Sequence, residues 1–254
     1  MSGAHRHLLF THTDSGVHRL VPEAKVAATF LFVCAVVATP REAFLAFAVD
    51  AAVLVVVALV ARVPLLRLAT RLLIELPFLA FAFFLPFIGS GPRVDVWFLS
   101  LSSSGLWGAW NILVKGTLGV AATSLLGATT TVPELVAALE RLRLPKVLVA
   151  IVAFMVRYLD VITEEMRRMR VARLSRGHDP RWIWQARAVA TSAGALFIRS
   201  FERGERVHLA MMSRGFDGTL YPSESGVPAR RDWATSLLLP ATALAACLAA
   251  VVTA

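Results

Sequence analysis

The chain has 254 residues, 57% of them hydrophobic, and a formal net charge of +9; its mean hydropathy is +0.67 and its pI about 10.9. Soluble domains are about 45–50% apolar, and here the apolar residues lie in long runs, which excludes an ordinary soluble domain. A pI this high suits nucleic acid, but residues 129–233 hold 17 of the 26 Lys+Arg and 11 of the 17 Asp+Glu, a net +6 massed between apolar runs. That is the charge distribution of cytoplasmic loops, so the expected partner is the lipid bilayer and not nucleic acid.

In chain order, the N-terminal MSGAHRHLLFTHTDSG is polar and carries His5, His7, His12 and, just beyond, His18. It lacks the short apolar core of a cleaved signal peptide, so the first apolar run is expected to stay as an anchor. The span candidates are Ala24–Ala38, Ala43–Ala61, Leu72–Ile88 with Pro77 and Pro86, Gly105–Ala128, and Ala234–Val252. About 20 apolar residues cross a bilayer core, so the second, fourth and fifth fit easily, while the first and third need their flanks or local thinning. The N-terminal segment up to the start of the first span has Arg6, Arg19 and Lys25, Arg41 alone follows that span, Arg62, Arg67 and Arg71 follow the second, and Arg93 alone follows the third. This alternation puts the N-terminus and residues 129–233 in the cytoplasm and the C-terminus outside.

Val147–Val156 is apolar but has only ten residues before Arg157, too few to cross unaided. It is read as part of a helix along the inner membrane face or against another helix. Thr131, followed by Val132-Pro133-Glu134, reads as the N-cap of a helix running to Leu144. Two long basic helices follow, over roughly 147–176 and 186–214, and Tyr221–Pro228 reads as a linker. The fold class expected is an all-α integral membrane protein of about five transmembrane helices. Residues 1–128 would hold the N-terminal segment and four spans, 129–233 a helical cytoplasmic segment, and 234–254 the last span.

The ends of the two long helices match. Ala172-Arg173-Leu174-Ser175-Arg176-Gly177-His178-Asp179 and Ala210-Met211-Met212-Ser213-Arg214-Gly215-Phe216-Asp217 both read AxxSRGxD, 38 residues apart. Gly just past a helix end takes the left-handed conformation that stops the helix. The preceding Arg is then held at the tip, against the negative end of the helix dipole, offering a planar fork of donors. One such end is ordinary capping; two alike suggest two equivalent receptors, as a homodimeric partner would offer.

With these motifs the chain resembles the transmembrane coupling subunits, or T components, of energy-coupling factor transporters, which carry two short Arg-Gly motifs at the ends of cytoplasmic coupling helices. Ser175-Arg176-Gly177 and Ser213-Arg214-Gly215 stand at those positions, with Ser where the family often has Ala. His18-Arg19-Leu20-Val21-Pro22-Glu23-Ala24-Lys25 looks like the family's lead-in to its first span, and Thr130-Thr131-Val132-Pro133-Glu134-Leu135, then Leu139 and Leu142 to Pro145, like the stretch before its coupling helices. Arg157-Tyr158 resembles the helix that follows, and Leu209–Asp217 looks most like the CbiQ-type branch that serves cobalt uptake. The resemblance implies a non-catalytic, multi-pass subunit of the cell's inner (plasma) membrane. Its implied partners are an ATPase subunit dimer, which would hold the ATP while this chain binds no cofactor, and a membrane subunit that captures the substrate. Arg176 and Arg214 would each dock in one ATPase subunit. Service to nickel or a vitamin is the nearest alternative; a stand-alone transporter or a membrane enzyme is the more distant one.

Among the remaining residues, Asp50 and Lys115 fall at similar depths in the second and fourth spans, so they can form a structural ion pair; a proton or ion path is the functional alternative. Glu75 is expected to pair with a loop arginine such as Arg71. Gly116, Gly119 and Gly127, with Ala121, Ala122 and Ala128, make a small-residue face for close helix packing. Trp97, Trp107 and Trp110 read as interfacial anchors, and Trp182 and Trp184 as residues laying a helix on the membrane surface. Cys34 and Cys247 read as small buried hydrophobes. The histidines match no metal-site spacing, and no GxxxxGK[ST], HExxH or GxSxG sequence is present. Neither catalytic nor metal-binding residues are expected.

Overall fold

The computed structural model describes residues 15–88, 93–96, 99–177, 186–216 and 230–253. They form α1 (Pro22–Ala38), α2 (Phe44–Val60), α3 (Leu65–Leu72), a 3-10 turn (Leu73–Glu75), α4 (Leu76–Ile88), β1 (Arg93–Val96), β2 (Leu99–Ser102), α5 (Ser103–Thr129), α6 (Val132–Arg141), α7 (Lys146–Ser175), α8 (Ala186–Met212) and α9 (Arg230–Thr253). The chain divides into two compact units, and the division falls inside α6 between Ala138 and Leu139. The first unit holds α1–α5, the start of α6 and α9; the second holds α7 and α8.

Helix stops in this chain are chemically legible. α2 is stopped by Arg62, two residues past its end, at φ +54°, with the Val63 amide donating to the Ala58 carbonyl at 3.0 Å. α6 is stopped likewise by Arg143, two residues past its end, at φ +63°, with the Leu144 amide donating to the Leu139 carbonyl at 3.3 Å. Both are six-residue stops closed by a left-handed residue. The helix expected to reach Leu144 therefore ends at Arg141. The third apolar run is broken where Pro77 has no amide to give the preceding turn, leaving the 3-10 turn that carries Glu75.

In the first unit α5 is the hub, packing against α1, α2, α3 and α4, while α9 packs on α1 and α2. One core cluster joins Phe32, Ala35 and Val36 of α1 to Phe47 and Leu54 of α2, Leu118 and Ala122 of α5, and Ala243 of α9. A second joins Ala58, Ala61 and Val63 to Leu125 and Ala128. The close approach of α4 to α5 requires Gly105: a methyl there would stand 2.8 Å from Pro86 Cα and collide with the Leu85 carbonyl oxygen.

These contacts sort the helix ends. The start of α1, the ends of α2 and α5 and the start of α6 lie at one end of the bundle. The starts of α2 and α5 and the end of α1 lie at the other, where Phe44 packs on Trp107 and Trp110 and Arg41 sits over Trp107.

Three helical stretches, Leu68–Ile88, Ser103–Thr129 and Arg231–Val252, are long and apolar enough to cross a membrane, and Phe44–Val60 is a shorter apolar helix. At 17 residues α1 and α2 are about 25 Å long, short of a hydrocarbon core of about 30 Å. Large apolar side chains such as Phe78, Phe81, Phe83 and Ile88 face outward, more than half exposed. An outward apolar surface over helices of this length is what a bilayer solvates. The protein is an all-α membrane protein, with one addition: β1 and β2 pair antiparallel, Arg93 opposite Ser102 and Val96 opposite Leu99. Val147–Val156 opens the 30-residue α7.

Candidate functional site

The site lies in the second unit, where α7 and α8 run back to back. Glu165 of α7 accepts from Arg199 and Arg203 of α8 at 3.3 and 3.2 Å. Toward the end of α7, Arg168, Arg173 and Arg176 line a groove with Thr191, Ser192 and Ala195 near the start of α8. The two helices are therefore antiparallel.

Both repeated motifs end their helices in the same way. The Ser175 hydroxyl donates to the Val171 carbonyl at 3.0 Å, and the Ser213 hydroxyl to the Leu209 carbonyl at 2.9 Å. The Gly177 amide donates to Leu174 at 2.9 Å and the Gly215 amide to Met212 at 3.0 Å. The Phe216 amide completes the stop at Met211, also at 3.0 Å. Gly177 and Gly215 sit at φ +74° and +80°, the left-handed region that favours glycine. Serine is accommodated because its hydroxyl bonds back onto its own helix. Arg176 and Arg214, between Ser and Gly, are both exposed. His178, Asp179 and Asp217, the outer residues of the repeat, lie outside the described residues, as do His5, His7, His12, Trp97, Trp182, Trp184 and the stretch Tyr221–Pro228.

The surroundings of the first tip are strongly cationic. Five arginines line the groove with one carboxylate, Glu165, which binds two of them. Arg173 Nε is buried there with no hydrogen-bond partner among the described residues. Such a surface attracts anionic groups. On the solvent side of α7, Arg167 holds Glu164 through two bonds of 2.9 and 2.8 Å. That hydrogen bonding keeps the Glu164 carboxyl below the ordinary glutamate range.

The residues expected to pair inside the membrane do not. Lys115 Nζ donates to the Val37 carbonyl at 2.7 Å, and both Asp50 carboxylate oxygens are buried without a hydrogen-bond partner among the described residues. The end of α1 offers Lys115 a carbonyl with no helical partner of its own, and it takes that instead. Arg71 Nη1 donates to the Ser124 carbonyl at 2.7 Å, while Glu75 Oε1 is buried with no hydrogen-bond partner among the described residues. Glu75 fits because Gly116 has no side chain: a Cβ there would stand 3.3 Å from Oε1. Gly119 and Gly127, by contrast, face open space. His18 bonds Ser15 through Nδ1 at 2.7 Å, and no cluster of three metal-ligating side chains occurs among the described residues. Cys247 is buried as expected, whereas Cys34 is exposed. Sequence reading takes Lys25 as an N-terminal charge and as the last residue of the lead-in to the first span, with no partner for its ammonium. Lys25 is buried, and it donates to the Thr129 carbonyl at 2.9 Å; its place one turn inside an apolar helix was the available signal.

A family model described as "Cobalt transport protein" (CbiQ) matches residues 14–224. The chain is 30% identical over 219 residues to the energy-coupling factor transporter transmembrane protein EcfT of Bacillus selenitireducens, covering 81% of each chain. It is 30% identical over 189 residues to the cobalt transport protein CbiQ of Rhodobacter capsulatus, covering 70% of this chain and 75% of that one. An uncharacterized protein of Methanocaldococcus jannaschii is 34% identical over 102 residues, and the chain spans 38% of its length.

Proposed function

Because the chain belongs to the CbiQ cobalt transport protein family, within the energy-coupling factor T components, we propose that it is the subunit that carries ATPase motion to a substrate-capture membrane subunit. Arg176 and Arg214 each dock in an acidic groove of one subunit of an ATPase dimer. ATP binding and hydrolysis belong to that dimer, and this chain supplies no catalytic group. The observation that carries the reading is the repeated tip: two helices of the same unit end with a left-handed glycine bonded back to its helix and an exposed arginine before it. The arginine-lined groove beside the first tip supports it, since a carboxylate-rich partner would complement its charge. Cobalt is the proposed cargo, supported by the family description and the name of the Rhodobacter capsulatus relative. The proposed location is the plasma membrane, with the N-terminus and α7–α8 on the cytoplasmic side.

Truncating an interfacial charge-assisted arginine costs about 2–5 kcal/mol. Arg176→Ala or Arg214→Ala is expected to weaken ATPase copurification and cobalt uptake, and the double substitution to abolish both. Uptake of radiolabelled cobalt by cells with the double variant decides it; normal uptake would refute the reading. Nickel uptake in the same assay tests the cargo.

A further inference from the structure

Helices α1 and α5 are joined by two lysines, each of which terminates the other helix. Lys25, near the start of α1, donates from Nζ to the carbonyl of Thr129, the last residue of α5, at 2.9 Å, and to that of His18 at 3.4 Å. Lys115 of α5 donates to Val37, in the last turn of α1, at 2.7 Å. Each ammonium meets a carbonyl that the helix leaves unsatisfied, at the negative end of its dipole.

The two bonds differ in setting. The Lys115 bond is exposed, whereas Lys25 is 7% exposed and its bond to Thr129 is buried. A buried ammonium has given up its water, so the acceptors around it fix its place and removing it leaves them unsatisfied.

What Lys25 holds is a junction. Thr129 and Thr130 are buried at the end of α5. The next amide, of Thr131, donates to Glu134 Oε2 at 2.8 Å and sets the first turn of α6. Through α6 the chain then leaves the bundle unit for α7 and the first arginine tip.

We infer that Lys25 is a positioning residue of the transport cycle: its ammonium, bonded to the Thr129 carbonyl, ties the α5–α6 junction to α1, so that displacement of α6 passes into the membrane bundle instead of being absorbed at the junction. The inference rests on the coupling role proposed above.

The test uses the whole transporter in lipid vesicles, reading ATPase retention, ATP hydrolysis and substrate moved per ATP. Lys25→Met keeps the ATPase subunits and hydrolysis while substrate moved per ATP falls about tenfold. Lys25→Arg, which still reaches the carbonyl with a cation, restores the ratio to within about threefold of wild type. Lys115→Met cuts the exposed bond between the same helices and leaves the ratio unchanged. In the Lys25→Met chain, amide exchange quickens over residues 129–135 and not over the middle of α1. An unchanged ratio in Lys25→Met overturns the inference. Equal loss of assembly in the Met and Arg variants also overturns it, because it would reduce Lys25 to a folding residue. Arg176→Ala/Arg214→Ala runs alongside: normal transport there sinks the coupling role itself, whatever Lys25 does.

Discussion

Gly177 and Gly215 hold the left-handed conformation with nothing within 4 Å of where a Cβ would stand, so substitution there tests backbone strain alone. Gly177→Ala and Gly215→Ala are each expected to cost about 1 kcal/mol, read as a lower thermal midpoint of the purified chain. Arg143 performs the same turn at φ +63° with a side chain, so Arg143→Gly is expected to gain a similar amount, about 1 kcal/mol. Sequence reading found the two glycine stops because glycine advertises them. It missed the arginine stops because nothing in an arginine's chemistry announces a left-handed backbone. The Glu164–Arg167 bond has a pH signature of definite sign. A carboxyl held low when folded favours the folded helix above its unfolded-state value, and that support is lost as pH falls through the lowered value. Carboxyl titration of Glu164 by NMR is expected to give a midpoint below the ordinary glutamate value, returning toward it in Arg167→Ala.

Among the helices, α5 bears the closest packing, and Gly105 is its tightest point. Gly105→Ala drives a methyl into the backbone of α4 at Leu85 and Pro86, where no flexible side chain can yield; a loss of about 1–3 kcal/mol is expected, read by thermal unfolding. Asp50 and Lys115 make no bond to each other. A double-mutant cycle with Asp50→Asn and Lys115→Met is therefore expected to be additive within about 0.5 kcal/mol. Apolar runs and charged breaks placed every long helix to within a few residues, because length and period are written in consecutive residues. The β1–β2 hairpin was overlooked: Val94, Val96, Leu99 and Leu101 alternate, but strands of four residues between two spans carry too few positions to stand out as a pattern. The Asp50–Lys115 pairing failed for a related reason. Depth along a helix is readable in sequence, whereas the face a residue presents, and the backbone carbonyl it meets, are set by packing.

For the molecule as a whole, the proposed orientation is directly testable. A tag on residue 1 is expected to be reached by an impermeant reagent only from the cytoplasmic side, and one on residue 254 only from the other; the reverse labelling would overturn the orientation. The antiparallel course of α7 and α8 also has a mechanical result. Arg176 shares a groove with Ser192, while Arg214 stands just past the far end of α8, about 30 Å along the same rod. A continuous helix does not telescope. Should its two ends ride on jaws that approach one another, α8 behaves as a strut of constant span, and the only motion left to it is to pivot, turning a closing stroke into a rotation.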